Sequence, residues 1–222
     1  MRVSMRKIAV ALLVAGSAVA TPALAQSGVN PIFTGPRVEG TLGWDHVGAG
    51  SSVDNDNDGS DQNIDGLLYG GGIGYDFAAG GALLGVEGEI TGSTAKSDRR
   101  AYDDQFGFGR VKTGRDLYVG ARAGIMADPA TLIYVKGGYT NLKLNVLAGN
   151  TNTQTDTGFK LDGWRLGAGA ERAISSNTYA KLEYRYSNYN RGQIDYASGA
   201  TSARFDVDTD RHQVVASYGI RF

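Results

Sequence analysis

The chain has 222 residues with 33 glycines, 12 tyrosines, only 4 prolines, no cysteine, and a net charge of −1. Disulfides and thiolate metal centres are thereby excluded, and the weak acidity with no basic, aromatic-studded face argues against a nucleic-acid partner. The glycine and tyrosine content suits many short strands better than helices.

The first element is a leader, "MRVSMRKIAVALLVAGSAVATPALAQ". Arg2, Arg6 and Lys7 precede an apolar run from Ile8 to Ala20, and Ala23-Leu24-Ala25 is a small-x-small cleavage site. That is a secretory signal peptide, residues 1–25, rather than an amino-terminal anchor: the run is too short to span a membrane. Cleavage leaves a domain of residues 26–222, and loss of three bases moves the net charge from −1 to −4. No second apolar run approaches the length of a membrane helix, so membrane residence after export requires a closed barrel.

Eight alternating segments follow, each about the ten residues that a tilted membrane strand needs. "RVEGTLGWD" sets Val38, Leu42 and Trp44 opposite Arg37, Glu39 and Asp45. "LLYGGGIGYDF" sets Tyr69, Ile73, Tyr75 and Phe77 opposite Gly70, Gly72, Gly74 and Asp76. "LLGVEGEI" sets Leu84, Val86 and Ile90 against Glu87 and Glu89, and "DLYVGARAGI" sets Leu117, Val119 and Ile125 against Asp116, Tyr118 and Arg122. "IYVKGGYT" sets Ile133, Val135 and Tyr139 against Tyr134 and Lys136; "GWRLGAGAE" sets Trp164 and Leu166 against Arg165 and Glu171. "YAKLEYRYS" sets Leu182, Tyr184 and Tyr186 against Lys181, Glu183 and Arg185. The ending "HQVVASYGIRF" sets Val214, Tyr218, Ile220 and Phe222 against Gln213, Ser217 and Arg221, with Val215 breaking the pattern.

Alternation alone does not separate a soluble sandwich from a membrane barrel. A sandwich buries the aliphatic face; a barrel turns it to lipid and folds the polar face inward. The connections decide. They alternate between long polar ones at 48–63, 92–115, 144–160 and 190–210 and the short "AAGG", "ADPAT" and "ISSNT". Long external loops facing tight periplasmic turns are the outer-membrane pattern. Four long external loops and periplasmic termini follow from an even strand count. Trp44, Tyr139, Trp164 and Tyr186 fall near the long-loop end of the aliphatic face, and Tyr75, Phe77, Tyr218 and Phe222 near the other. That sorting matches two interfacial belts. The reading is all-β: an eight-stranded antiparallel up-and-down transmembrane β-barrel in the outer membrane.

With the leader, the eight segments and the ending "ASYGIRF", the chain resembles small eight-stranded outer-membrane barrels of the opacity-protein and OmpA-like transmembrane-domain type, the "porin family" of Gram-negative bacteria. The resemblance covers Gln26 to Phe222 and rests on architecture rather than a catalytic motif. It implies that Tyr218, Ile220 and Phe222 form the terminal signal read by the barrel-assembly machinery. It also implies no soluble peptidoglycan-binding domain, since the sequence ends at Phe222.

The interior of such a barrel is only just wide enough to be filled by side chains. Parity places Glu39, Asp76, Glu87, Glu89, Asp116, Glu171 and Glu183 inside, against Arg37, Arg122, Lys136, Arg165, Lys181, Arg185 and Arg221. Buried charges must be paired, so the balance predicts an ion-pair network plugging the lumen. The expected function is non-enzymatic: an outer-membrane protein with a structural and surface-interaction role in the envelope. The alternative is a small low-conductance porin for passive diffusion of ions or small solutes.

Three features test that reading. His46 and His212, the only histidines, lie on the outer face near the loop end, on strands that must pair to close the barrel; no adjacent serine makes a nucleophile–base pair of either. The first long loop contains "DNDNDG", which resembles the start of a calcium loop. Counted from Asp54, Asp56, Asp58 and Gly59 fit, but position 12 is Asp65 instead of a bidentate glutamate and the flanks are strand sequence, so this is not an EF-hand. No cofactor is expected beyond a divalent cation held weakly by Asp54, Asp56, Asp58 and Asp65. The second loop carries Lys96, Arg99, Arg100, Arg110, Lys112 and Arg115 with Tyr102, Phe106 and Phe108. Opposite charge would draw the first two loops together, and the aromatics suit a contact with a host or envelope protein or with lipopolysaccharide. Outer-membrane lipid is the remaining expected partner.

Overall fold

The computed structural model describes residues 28–49, 62–98, 108–150, 153–195 and 201–222. The leader at 1–25 therefore lies outside the described residues, as do residues 50–61 with Asp54, Asp56 and Asp58. The strands are β1 (Gly35–Ala49), β2 (Gln62–Ala79), β3 (Ala82–Ser93), β4 (Lys96–Asp98), β5 (Phe108–Asp128), β6 (Thr131–Asn150), β7 (Thr153–Ala173), β8 (Thr178–Asp195) and β9 (Phe205–Arg221). Each of the eight alternating segments lies inside one of the eight long strands, save that the last runs one residue past β9 to Phe222. Every pairing is antiparallel, β1 pairs with both β2 and β9, and β3 pairs with β5, so the sheet closes on itself as an eight-stranded up-and-down barrel. β4 adds no stave. It resumes the path of β3 after a break at Thr94 and Ala95, where Leu67 N donates to Thr94 Oγ1 at 2.9 Å. The break requires Gly66: a Cβ there would sit 2.3 Å from Ala95 N.

Side-chain placement is inverted relative to a soluble fold. Ile73 is 64% exposed and Val119 61%, while Arg165 and Arg185 are fully buried. A surface of that kind is stable only against lipid tails. Trp44, Tyr139 and Trp164 stand exposed at one end of the aliphatic band, and Tyr75, Phe77, Tyr218 and Phe222 at the other.

The connections differ from the sequence expectation at three places. The stretch 144–160 is not a long loop: β6 and β7 continue as a ribbon until Asn150 pairs with Thr153. Its Thr153, Thr155, Thr157 and Phe159 alternate with polar residues and have high strand propensity, so a polar composition here marks a ladder beyond the membrane rather than a coil. In the second connection, Lys96, Arg110 and Lys112 belong to strands, Lys96 opposite Lys112 and Asp98 opposite Arg110. The third difference lies ahead of β1, where Pro31–Phe33 form a 3₁₀ turn capped by Asn30, whose side-chain oxygen accepts from Ile32 N at 3.2 Å. This turn tucks Phe33 under the barrel mouth against Val29, Leu83 and Leu132.

Candidate functional site

The inward face of the strands converges on one ionic core. All fourteen charged residues assigned inward from the sequence are buried, together with Asp45 and Arg211, which makes eight acids and eight bases. Antiparallel register puts long side chains opposite glycines that leave room for them. A Cβ on Gly74 would strike the Arg37 guanidinium at 2.8 Å, and one on Gly85 would meet Asp76 Oδ1 at 2.0 Å.

At the turn end, Asp76 gathers three guanidinium groups. It accepts from Arg37 Nε at 2.9 Å, from Arg122 Nε and Nη2 at 2.7 Å each, and from Arg221 Nη1 at 2.6 Å. Glu171 completes this layer, accepting from Arg122 at 2.8 Å and Arg221 at 2.6 Å. Higher up, Glu39 joins Arg37 at 3.0 Å and Lys181 at 2.5 Å, and Glu87 accepts from Arg37. Lys136 Nζ lies 2.8, 2.6 and 2.9 Å from Glu87, Glu89 and Glu183. Arg185 bridges Glu183 to Glu89. At the loop end, Arg165 bonds Asp116 and stands 3.7 Å from Glu89, while Arg211 links Asp116 at 2.5 Å to Asp45 at 2.6 Å. The sixteen groups thus form one connected graph.

Tyrosines fill the space between the layers. Tyr134 and Tyr179 hydroxyls donate to Glu183 and Glu39 at 2.5 and 2.8 Å. Lys136 Nζ sits 4.6 Å from the centre of the Tyr118 ring, and Arg221 lies over Tyr179. Buried apolar side chains adjoin each end of the ionic column. Phe33, Leu83 and Leu132 lie below, where the Phe33 carbonyl also accepts from Arg221 Nη1 at 2.5 Å. Leu142, Leu161 and Tyr189 cluster at the other end.

The inward charges counted from the sequence left out Asp45, although it stands on the polar face of "RVEGTLGWD", and sequence reasoning missed Arg211 and both apolar layers. Asp45 and Arg211 share the inward parity of their strands; Asp45 lies within its segment, and extending the last segment one residue upstream of His212 reaches Arg211. The inward leucines carry the same parity at strand ends.

The other candidate residues lie apart from this core. His46 and His212 are directly opposed across β1 and β9. His46 Nδ1 is 2.8 Å from Asp65 Oδ1, and His212 Nδ1 is 2.6 Å from the Tyr184 hydroxyl. Trp44 stacks on His46 at 5.4 Å and Tyr186 lies 5.1 Å from His212, so both imidazoles are set into the interfacial aromatic belt. Asp65, assigned to the cation loop, is a strand residue of β2 engaged with His46. Among the described residues no group of three or more His, Asp or Glu is placed to hold a metal ion. Tyr218, Ile220 and Phe222 project outward, 57%, 42% and 76% exposed.

A membrane-facing aliphatic band around a filled polar interior defines the architecture, and family comparison gives it a lineage. The outer membrane protein beta-barrel domain model matches residues 10–222. The chain belongs to that family. Among relatives, this barrel is 28% identical over 145 residues to the 25 kDa outer-membrane immunogenic protein of Brucella melitensis, covering 65% of this chain and 62% of the relative. It is 27% identical over 166 residues to a 22 kDa outer membrane protein of Rhizobium leguminosarum, covering 74% and 70%. The fold recurs in Neisserial surface protein A at a TM-score of 0.52 and 12% identity, covering 85% of this chain and 98% of that one. It recurs in OprG of Pseudomonas aeruginosa at 0.50 and 13%, with the same coverage. An outer-membrane location follows for this family member.

Proposed function

We propose that the protein is a non-conducting outer-membrane scaffold whose work is done on its exterior, by the membrane-facing wall and the long connections. One observation carries this reading: the sixteen lumenal charges are joined into a single ion-pair graph with apolar layers at both ends. An ion crossing the barrel would have to displace partners whose removal strands opposite charges in a water-poor interior. The polar ends of β5–β9 project at the long-connection side, which is external in this reading, with the termini in the periplasm.

The test is planar-bilayer conductance of the refolded barrel. A quiet membrane is expected; reproducible, ion-selective steps would instead establish the low-conductance porin. A non-enzymatic role fits the two histidines, whose Nδ1 atoms are committed to Asp65 and Tyr184.

Three further readings belong to this proposal. Tyr218, Ile220 and Phe222 serve as the assembly signal, so deleting Phe222 should slow insertion by the barrel-assembly machinery without changing the refolded barrel. Tyr102, Phe106 and Phe108 form part of an external contact surface; Tyr102 and Phe106 lie outside the described residues, and Phe108 opens β5. Alanine at all three should weaken adhesion to a host or envelope protein, and unchanged binding would sink the idea. For Asp54, Asp56, Asp58 and Asp65, titration calorimetry with calcium is the measurement, and the absence of heat at about millimolar calcium leaves a solvated loop.

A further inference from the structure

The lipid-facing wall is not uniform. Across β1, β2, β3, β5 and β6, Val38, Ile73, Gly88, Val119 and Tyr139 stand in one cross-strand row. The next row toward the long connections is Gly40, Gly71, Ile90, Leu117 and Asn141. In the row beyond, Tyr69 pairs with Gly92, and a Cβ on Gly92 would meet the Tyr69 ring at 3.1 Å. All these positions have outward parity, so Gly88, Gly71 and Gly92 cut a slot along the β2–β3 seam through an otherwise aliphatic band.

The slot has measurable size. One part, walled by Val38, Ile73, Ile90 and Val119, is a depression of 750 Å³. A second of 490 Å³ shares Gly71 and Ile90 with it and leads past Tyr69 and Gly92 to Arg115. Both fall within the range of small-molecule sites, about 300–1,000 Å³. Arg115 is exposed and borders the second depression beside Gly114. An apolar trench ending in an exposed guanidinium complements a molecule with a long hydrocarbon tail and an anionic head. A guanidinium is suited to phosphate through charge-assisted, forked hydrogen bonds.

We propose that this groove is a lipid-binding site, taking one acyl chain along Gly88 and Gly71 and a phosphate on Arg115. The occupant is lipopolysaccharide, bound through its lipid A part, because Arg115 lies at the long-connection end and that end is external. This assignment rests on the orientation proposed above; the groove itself does not. Gly88 is the lever for a test, since a Cβ there has Tyr118 O as its nearest neighbour at 3.8 Å and a larger side chain fills the slot without touching the core.

The experiment is native mass spectrometry of membrane-purified protein, delipidated in mild detergent and offered lipid A, phosphatidylglycerol or phosphatidylcholine. The unaltered barrel should keep one lipid A in preference to both phospholipids. Gly88→Leu and Arg115→Gln should each lower the retained fraction about tenfold, equivalent to about 1.4 kcal/mol. Ala168→Leu, which adds three carbons to the lipid face of β7 outside the slot, should change nothing. The heat-dependent gel shift reports that each variant is folded. Equal retention in Gly88→Leu and the unaltered protein would overturn the site. Preference for phosphatidylglycerol would overturn lipopolysaccharide as occupant, and labelling of the long connections on intact cells would then report whether the orientation is what failed. A dimer that dissolves in Gly88→Leu would overturn the lipid site in favour of a barrel–barrel contact.

Discussion

At the residue scale, the core of this barrel is held by charge rather than by oil. Asp76 is the most heavily shared acid of the turn-end layer, met by Arg37, Arg122 and Arg221. Removing one partner of a buried pair typically costs about 3–5 kcal/mol, because the remaining charge keeps its desolvation penalty. Asp76→Asn, which preserves shape, should therefore lower the urea unfolding free energy in detergent by about that amount; a loss below about 1 kcal/mol would show that water already screens the layer. An exposed acid behaves differently. Asp128, at the β5–β6 turn, accepts from Ala130 N at 2.8 Å, and that backbone hydrogen bond holds its carboxyl below the ordinary value. A depressed folded value means the turn's contribution is complete above the unfolded value and is lost as pH falls through the folded one. NMR titration of Asp128 should give a midpoint below that of an unperturbed aspartate, with the Ala130 amide shift moving in step. The membership of the core was largely legible in the sequence because a strand has a period of two. What parity does not reveal is pairing: that Arg211 reaches Asp45 and Asp116 depends on the register of β1 and β9 and the shape of the closed lumen.

At the scale of elements, all eight long strands were legible, but their ends were not. Polar composition separates lipid-facing from water-facing residues, not strand from loop, so the β6–β7 ribbon reads as a loop although it is laddered through Asn150 and Thr153. The turn before β1 was missed for a different reason: three residues have no periodicity, and only the Asn-Pro start hints at a capped turn. Its consequence is large for its size. Phe33, 1% exposed, floors the lumen on Leu83 and Leu132. Gly35 makes the approach possible, with φ +103° and a would-be Cβ 2.4 Å from Phe222 O. Phe33→Ala should destabilise the barrel by about 3–5 kcal/mol through lost burial and a residual cavity. Because the Asp76–Arg122–Glu171 layer lies directly above, the same variant should remain electrically silent in a planar bilayer. Channel steps in Phe33→Ala would mean that the turn, rather than the ion pairs, is the barrier.

At the scale of the whole molecule, one solvent inversion explains the composition. The aliphatic residues face out because lipid accepts them, the charged ones face in because partners there are obligatory, and the backbone is satisfied only if the sheet closes. Closure is the property that local patterning cannot display, since β1 and β9 are the most distant strands in sequence and yet pair along thirteen positions. That seam can be tested by a covalent link. Leu42 and Ala216 are directly opposed on it, both on the lipid face, and opposed Cα atoms in an antiparallel pair lie within disulfide range, about 4.4–6.8 Å. The chain has no cysteine of its own, so Leu42→Cys with Ala216→Cys gives one thiol pair without background. Oxidation of the folded double variant should join the two ends of the barrel into a ring. Boiled without reductant, the ring cannot extend fully in detergent and should migrate apart from its reduced form, whereas neither single variant should show the difference. Forming the link only after unfolding, or failing to form it in the folded state, would mean that β1 and β9 pair in another register. The ion-pair graph would then be wrong as well, because Arg211 reaches Asp45 only in this register.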